Sequence, residues 1–370
     1  MTCTVVQERE QSRAADVVSR AVRAGEAFAV LDPTWPESFL AMASRQVEDA
    51  ASAAMVGPGD LVVFSSGSTG RPRGIVRTLV SWQASVAGFS QITGITSQDT
   101  VWLPGPLWSS LFLFGAFHGG AVGATVAFQD DDPATATVLH CVPSQLPGLL
   151  HRAQGGGLPL VRLVVVAGDR CAATLRQRCE SAGWQVVEYY GAAELSFVAW
   201  RDRSGPLRAF PGVQTDLRDG LLWARSPYLA KGYLSARADG PLRRDSHGWA
   251  TVGDVAQAVP GGLEVLGRGD SAVTTGGHTV VVEEVERLLL GLSGVDDVAV
   301  LGMPHPRLGQ SLAAIVVGPA ADGALRAAVL GMPSPARPRR WLHAPALPRT
   351  SGGKLRRDAL PPLAASLIAS

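Results

Sequence analysis

The chain has 370 residues, 46% of them apolar and 18% charged, which excludes a disordered polymer and leaves room for two or three domains. Its 33 basic and 32 acidic residues remove any electrostatic case for nucleic acid or an anionic membrane as partner. The opening MTCTVVQEREQSRAADVV lacks a signal-peptide pattern and no apolar run reaches membrane-span length, so a cytoplasmic protein is expected.

Apolar, β-branched runs at 61–64, Thr125–Phe128, 162–167 and 185–189 predict buried strands. Helical patterns at 74–89 and 172–182 alternate with them, which implies α/β layering. The character changes around Gly267-Arg268-Gly269-Asp270. Beyond it, 283–292 places Val285, Leu288, Leu289 and Leu292 on one helical face, and 298–301 and 313–317 read as strands. We therefore divide the chain into a large domain, 1–267, and a small α+β domain, 268–370. Cys3, Cys141, Cys171 and Cys179 have no metal-ligand spacing and read as buried reduced thiols, although Cys171 and Cys179 could meet.

The strongest local feature runs from Leu61 to Gly74, LVVFSSGSTGRPRG. A buried strand enters a loop of Ser65, Ser66, Gly67, Ser68, Thr69 and Gly70, followed by Arg71 and Arg73. Glycines let backbone N–H groups close around an anion, hydroxyls add donors and arginines add charge, which is the chemistry of a polyphosphate cradle. It matches neither the P-loop, the G-x-G-x-x-G fingerprint nor the hydrolase elbow. The plainer reading is a Gly/Ser turn between a strand and a helix.

Taken in order, a series of motifs resembles the ANL superfamily of adenylating enzymes: acyl-CoA synthetases, peptide-synthetase adenylation domains and luciferases. Ser65–Gly74 is similar to its phosphate loop, with Arg73 at a usual lysine, and AVLDPTWP at 29–36 is similar to an early family segment. The segment 102–123 resembles the aromatic lining of an acyl site, and 138–147 the strand-loop after it. Tyr189-Tyr190-Gly191-Ala192-Ala193-Glu194 resembles Y-G-x-T-E, and 248–254 resembles G-W-x-x-T-G-D. Gly267-Arg268-Gly269-Asp270 resembles the interdomain hinge, and 348–355 resembles P-x-T-x-x-G-K-[IL].

The resemblance implies a large layered α/β domain followed by a small mobile α+β lid. It implies ATP, Mg²⁺ and CoA, or a phosphopantetheine carrier, as cofactors, and a small carboxylic acid as substrate. Glu194 is implied to hold Mg²⁺ near the phosphates, a role suited to a hard oxygen ligand. Tyr190, Gly191 and Ala192 are implied at the adenine, and Asp254 and Arg268 at the ribose. Trp108, Phe112, Ala167 and Gly168 are the implied acyl pocket, Asp270 the pivot, and Gly276 and Gly277 the backbone of a CoA tunnel. Arg170 and Asp169 are further candidates for a substrate carboxylate or amine.

Lys354 is implied to bridge the acyl carboxylate and the α-phosphate. Only two of the 33 basic residues are lysine, Lys231 and Lys354. A compact ammonium in so arginine-rich a chain points to chemistry a guanidinium cannot do. Lys231 reads as a surface residue.

Several positions depart from the family pattern. Ala193 and Val252 replace threonines, Trp108 replaces a gate histidine, and Thr274 stands at a common lysine. His118 nearby reads as a packed core histidine. The phosphate loop begins early, at Ser65, which implies a shortened N-terminal layer and an acyl site that is more open or closed by a partner subunit. The first function implied is an acyl-CoA ligase. The alternatives are a stand-alone adenylating enzyme loading a carrier protein or another nucleophile in a biosynthetic pathway, and a degenerate nucleotide-binding scaffold. The oligomeric state is left open, a homodimer included.

Overall fold

The computed structural model describes residues 3–66, 72–235, 240–268, 272–275 and 278–369. Alternating side chains along buried strands need cover on both faces, and the fold supplies it in layers. In the first sheet, Cys3–Val6, Ala27–Val30 and Asp60–Ser66 run parallel, and Pro72–Thr78 and Gly232–Tyr233 extend it antiparallel. Leu61 and Val63 point into the central core, while Val62 and Phe64 pack against Ala43 and Val47 of the helix Glu37–Ser52.

The second sheet has seven strands, whose parallel part is ordered Gln185–Ala192, Leu163–Val166, Val138–Cys141, Thr100–Leu103 and Thr125–Phe128. Here too the residues alternate. Leu163 and Val165 join the central core, while Val164 and Val166 face the helices Leu146–Gln154 and Ala173–Ser181. Between the sheets lie the helices Leu79–Thr93 and Ser110–Val122. The second reads SLFLFGAFHGGAV, apolar on all sides, as a helix covered on several faces must be. Each large side chain buried there contributes about 1.5–3 kcal/mol.

A third, antiparallel sheet contains Leu221–Arg225, Ala250–Thr251, Asp254–Val259 and Gly262–Arg268. Beyond it are a hairpin, Ala272–Thr275 with His278–Val281, and a three-stranded sheet of Asp297–His305, Gly309–Val317 and Arg340–His343. The buried residues of the small unit form their own clusters from Val273 to Ala364, whereas the central core ends at Val265.

Two sequence expectations are corrected. The helical pattern over 74–89 is a strand as far as Thr78, and the helix starts only at Leu79. Ile75 and Val76 pair with Val63 and Val62, and the Thr78 side chain caps the helix by accepting from the Ser81 amide. The phosphate loop therefore connects two antiparallel strands, not a strand and a helix. In the helix Val282–Leu290, Leu288 is 38% exposed and Glu286 is buried in its place. The Glu286 carboxylate accepts the Val300 amide at 2.7 Å and Arg357 at 2.8 Å, which offsets the cost of burying its charge.

All four cysteines are free, Cys171 and Cys179 included, and Cys3 is only half-buried. Burial, with Glu188 nearby, pushes the Cys171 thiol up to about 12, so it is a poor nucleophile. Among the described residues no helix is long and apolar enough to cross a membrane.

Candidate active site

The strand Gln185–Ala192 turns back sharply into Ser196–Arg201, and Glu194 sits in the bend. Gly191 is required there, because a Cβ would lie 2.0 Å from the Ser196 carbonyl oxygen. Glu194 is 4% exposed, and its Oε1 accepts from the Tyr233 hydroxyl at 3.0 Å. Burial, with the Glu194 charge adding to it, drives the Tyr233 hydroxyl well above the usual phenol range, so it remains a donor. The Arg73 guanidinium lies over the Tyr233 ring at 5.7 Å. Tyr233 thus links the flank of the phosphate loop to Glu194.

Beneath this bend lies Arg77, 1% exposed, donating to the carbonyls of Ala193 and Tyr228. Burial lowers its pKa to about 10, against the opposing pull of Glu194. Both Arg77 and Tyr233 escaped the sequence reading. For Arg77 a signal existed, a lone charge inside the apolar run Gly74-Ile75-Val76-Arg77-Thr78-Leu79. Glu194 offers one hard oxygen donor in a cationic setting. That suits Mg²⁺, which binds through one or two carboxylates plus phosphates and waters. Among the described residues no group of three or more His, Cys, Asp or Glu side chains forms a self-sufficient metal cage.

Tyr190 and Asp254 come together from different sheets: the Tyr190 hydroxyl donates to Asp254 Oδ2. Asp254 is buried and begins its strand directly opposite Arg268 in the antiparallel register. The two residues implied at the ribose are therefore cross-strand neighbours. Val252 is buried in the core, where an apolar replacement for threonine is at home.

Lys354 reaches the large domain. Its Cε lies 3.9 Å from where a Cβ on Gly168 would stand, beside Leu111 Cδ1 and Val142 Cγ1. Gly168 has φ +88°, a conformation that resists any side chain. Gly353, at φ +79°, is pressed so close that a Cβ would meet Val142 Cγ2 at 2.5 Å. Trp108 is half-buried at the same junction and donates to Ser351 Oγ at 2.9 Å.

Of the other implied pocket residues, Ala167 is buried in the core and Phe112 is fully buried against Gly105. Phe114 is a core ring as well, edge-on to Phe197 at 4.7 Å. His118 is packed as expected, buried against Phe89 and bonded to Ser90 Oγ at 2.9 Å. Arg170 is held by the Val265 carbonyl and lies 3.8 Å from Glu264, and the exposed Asp169 lies 3.7 Å from Arg349. Lys231 is more than a surface residue, since it pairs with the buried Asp60 at 2.7 Å. Gly67, Ser68, Thr69, Gly70, Asp270, Gly276 and Gly277 lie outside the described residues, as do the side chains of Ser65, Ser66, Arg268 and Thr274.

Comparison with known proteins gives a consistent pattern. The family model for AMP-binding enzymes matches residues 2–234, and that for the AMP-binding enzyme C-terminal domain matches residues 284–354. The acyl-CoA ligase YhfT of Bacillus subtilis, itself uncharacterized, is 30% identical over 328 residues, 80% of this chain and 66% of its own. A salicylyl-CoA synthase / salicylate adenylyltransferase from Streptomyces is 29% identical over 300 residues, 70% of this chain and 54% of its own. The chain thus spans less than two thirds of the length of either relative. ATP-bound MatB from Rhodopseudomonas palustris superposes with a TM-score of 0.82 at 20% identity, over 97% of this chain and 88% of that one.

Proposed function

Because the chain belongs to the AMP-binding enzyme family, we propose that it activates a small carboxylic acid with ATP and passes the acyl group to the thiol of CoA. In the first step a carboxylate oxygen attacks the α-phosphorus, and the bond to pyrophosphate breaks. In the second the thiol loses its proton, its sulfur attacks the acyl carbon, and AMP leaves.

The first step joins two anions, so its barrier falls with positioned positive charge. Lys354, whose Cε lies 3.9 Å from where a Cβ on Gly168 would stand, is the residue we assign to that neutralisation. This seating of the C-terminal loop is the observation that carries the proposal. Arg73 adds charge at the phosphate loop, and Tyr233 orients Glu194. Mg²⁺ held through Glu194 would neutralise the phosphates of ATP. Asp254, paired in register with Arg268 and bonded to Tyr190, is the carboxylate we assign to the ribose hydroxyls. We assign residues 1–267 to substrate binding and 268–370 to the lid that carries Lys354.

The acceptor has a second candidate in the pantetheine arm of a carrier protein. Carboxylate-dependent exchange of pyrophosphate into ATP over a panel of acids tests the first step. Thioester yield with CoA against a holo carrier protein tests the second. Absence of exchange with every acid would return the chain to the scaffold reading.

A further inference from the structure

We propose that Asp32 and Ser351 form a latch that positions Lys354 for adenylation and opens before thiol transfer. The inference rests on the adenylation reading above and adds two positioning residues to it.

The loop carrying Lys354 is closed on itself. The Thr350 amide donates to the Lys354 carbonyl at 2.8 Å, the Gly353 amide to the Thr350 carbonyl at 2.8 Å, and the Lys354 amide to Thr350 Oγ1 at 3.1 Å. Such a loop moves as a unit, so fixing one side chain fixes Lys354 as well. Ser351 is that side chain. Its hydroxyl donates to Asp32 Oδ2 at 2.6 Å and accepts from Trp108 Nε1 at 2.9 Å. A hydroxyl has one proton to give, and here it goes to an anionic acceptor, which makes the stronger kind of hydrogen bond.

Asp32 is built to receive it. It follows the strand Ala27–Val30, is 6% exposed, and its other oxygen already accepts the Thr34 amide at 2.9 Å and hydroxyl at 2.6 Å. The carboxylate is therefore oriented before the loop arrives, and Ser351 completes its shell. Two further contacts of this loop with the large domain are longer, Ser144 Oγ at 3.4 Å from the Gly353 carbonyl and Arg349 at 3.7 Å from Asp169. The motif P-x-T-x-x-G-K leaves the position of Ser351 unspecified, so the serine is a feature of this chain. When the loop departs, Asp32 Oδ2 and the Trp108 indole both lose their partner, which biases the lid toward the adenylation pose.

The test uses the full chain with Ser351→Ala, Asp32→Asn and Ser351→Thr. In the ligand-free protein, amide hydrogen exchange over 350–356 should be about tenfold faster in the first two variants and restored in the third. Kinetically, the kcat of pyrophosphate exchange should fall about tenfold with KM for ATP little moved, because the latch acts on position and not on ATP binding. The rate of thiol transfer from preformed acyl-adenylate should not fall in step. Unchanged amide exchange in both Ser351→Ala and Asp32→Asn, or equal loss in both half-reactions, would overturn the latch. If the wild-type chain exchanges pyrophosphate with no acid, the adenylation reading fails, and hydrogen exchange still decides whether the latch exists.

Discussion

Arg77 offers the sharpest test of how the site is held. Replacing it with leucine removes a fully buried guanidinium that serves the Ala193 and Tyr228 carbonyls and faces Glu194. Each carbonyl left without a donor costs about 1–3 kcal/mol. Relief from burying the guanidinium returns part of this, since burial lowers its pKa to about 10 even against the pull of Glu194. The expected net loss is about 3 kcal/mol, read from urea unfolding followed by tryptophan fluorescence. The bend that carries Glu194 should loosen as well, raising the Mg²⁺ concentration needed for half-maximal pyrophosphate exchange. Arg77→Lys, able to reach one carbonyl, should recover about half of the stability. A loss under about 0.5 kcal/mol with an unchanged Mg²⁺ requirement would refute the assignment of Arg77 as the anchor of the bend.

Lys354→Ala should lower pyrophosphate exchange by about 10²–10³-fold, by analogy with loss of one preorganised charge, while urea unfolding stays close to wild type because the side chain is exposed. Gly353→Ala should slow adenylation too, since its φ of +79° and the 2.5 Å approach of Val142 leave no room for a methyl group; a wild-type rate would contradict the docked loop. Acid should destabilise the fold through two histidines. Burial depresses His118 to about 4 and, with His118 nearby, His140 to about 3. Both stay neutral in the native state and take up protons on unfolding below the ordinary value of about 6.5. Stability is therefore complete above that pH and falls toward pH 4 by about 1.4 kcal/mol per pH unit for each histidine. Urea midpoints at pH 7 and pH 5 measure the slope, and a flat profile would contradict it.

Much of the molecule was readable in the sequence because its signals are local. Thr125–Phe128 and 185–189 are strands in the fold, although Thr125–Phe128, expected to be buried, is an edge strand with Thr125 exposed and only Phe128 buried. The motif around Glu194 and the glycines before Lys354 mark backbone that must bend tightly, and Gly191 and Gly353 do so at points where a Cβ would collide. The helix read over 74–89 failed at its start because Ile75 and Val76 suit either element, and pairing with Val62 and Val63 decided for the strand.

What the sequence by itself determined is the chemical inventory: a lysine among arginines, an acid closing a Tyr-Gly motif, a glycine-rich anion loop. Tertiary structure alone decided which of these meet. Arg77 reaches carbonyls at 193 and 228, Tyr233 reaches Glu194, Glu286 displaces Leu288 from the core by finding Arg357, and Ser351 finds Asp32. Such partners are set by sheet register and by the seating of one unit on another. Neither leaves a periodic trace in the chain, because the energy of each contact depends on a residue far away along it.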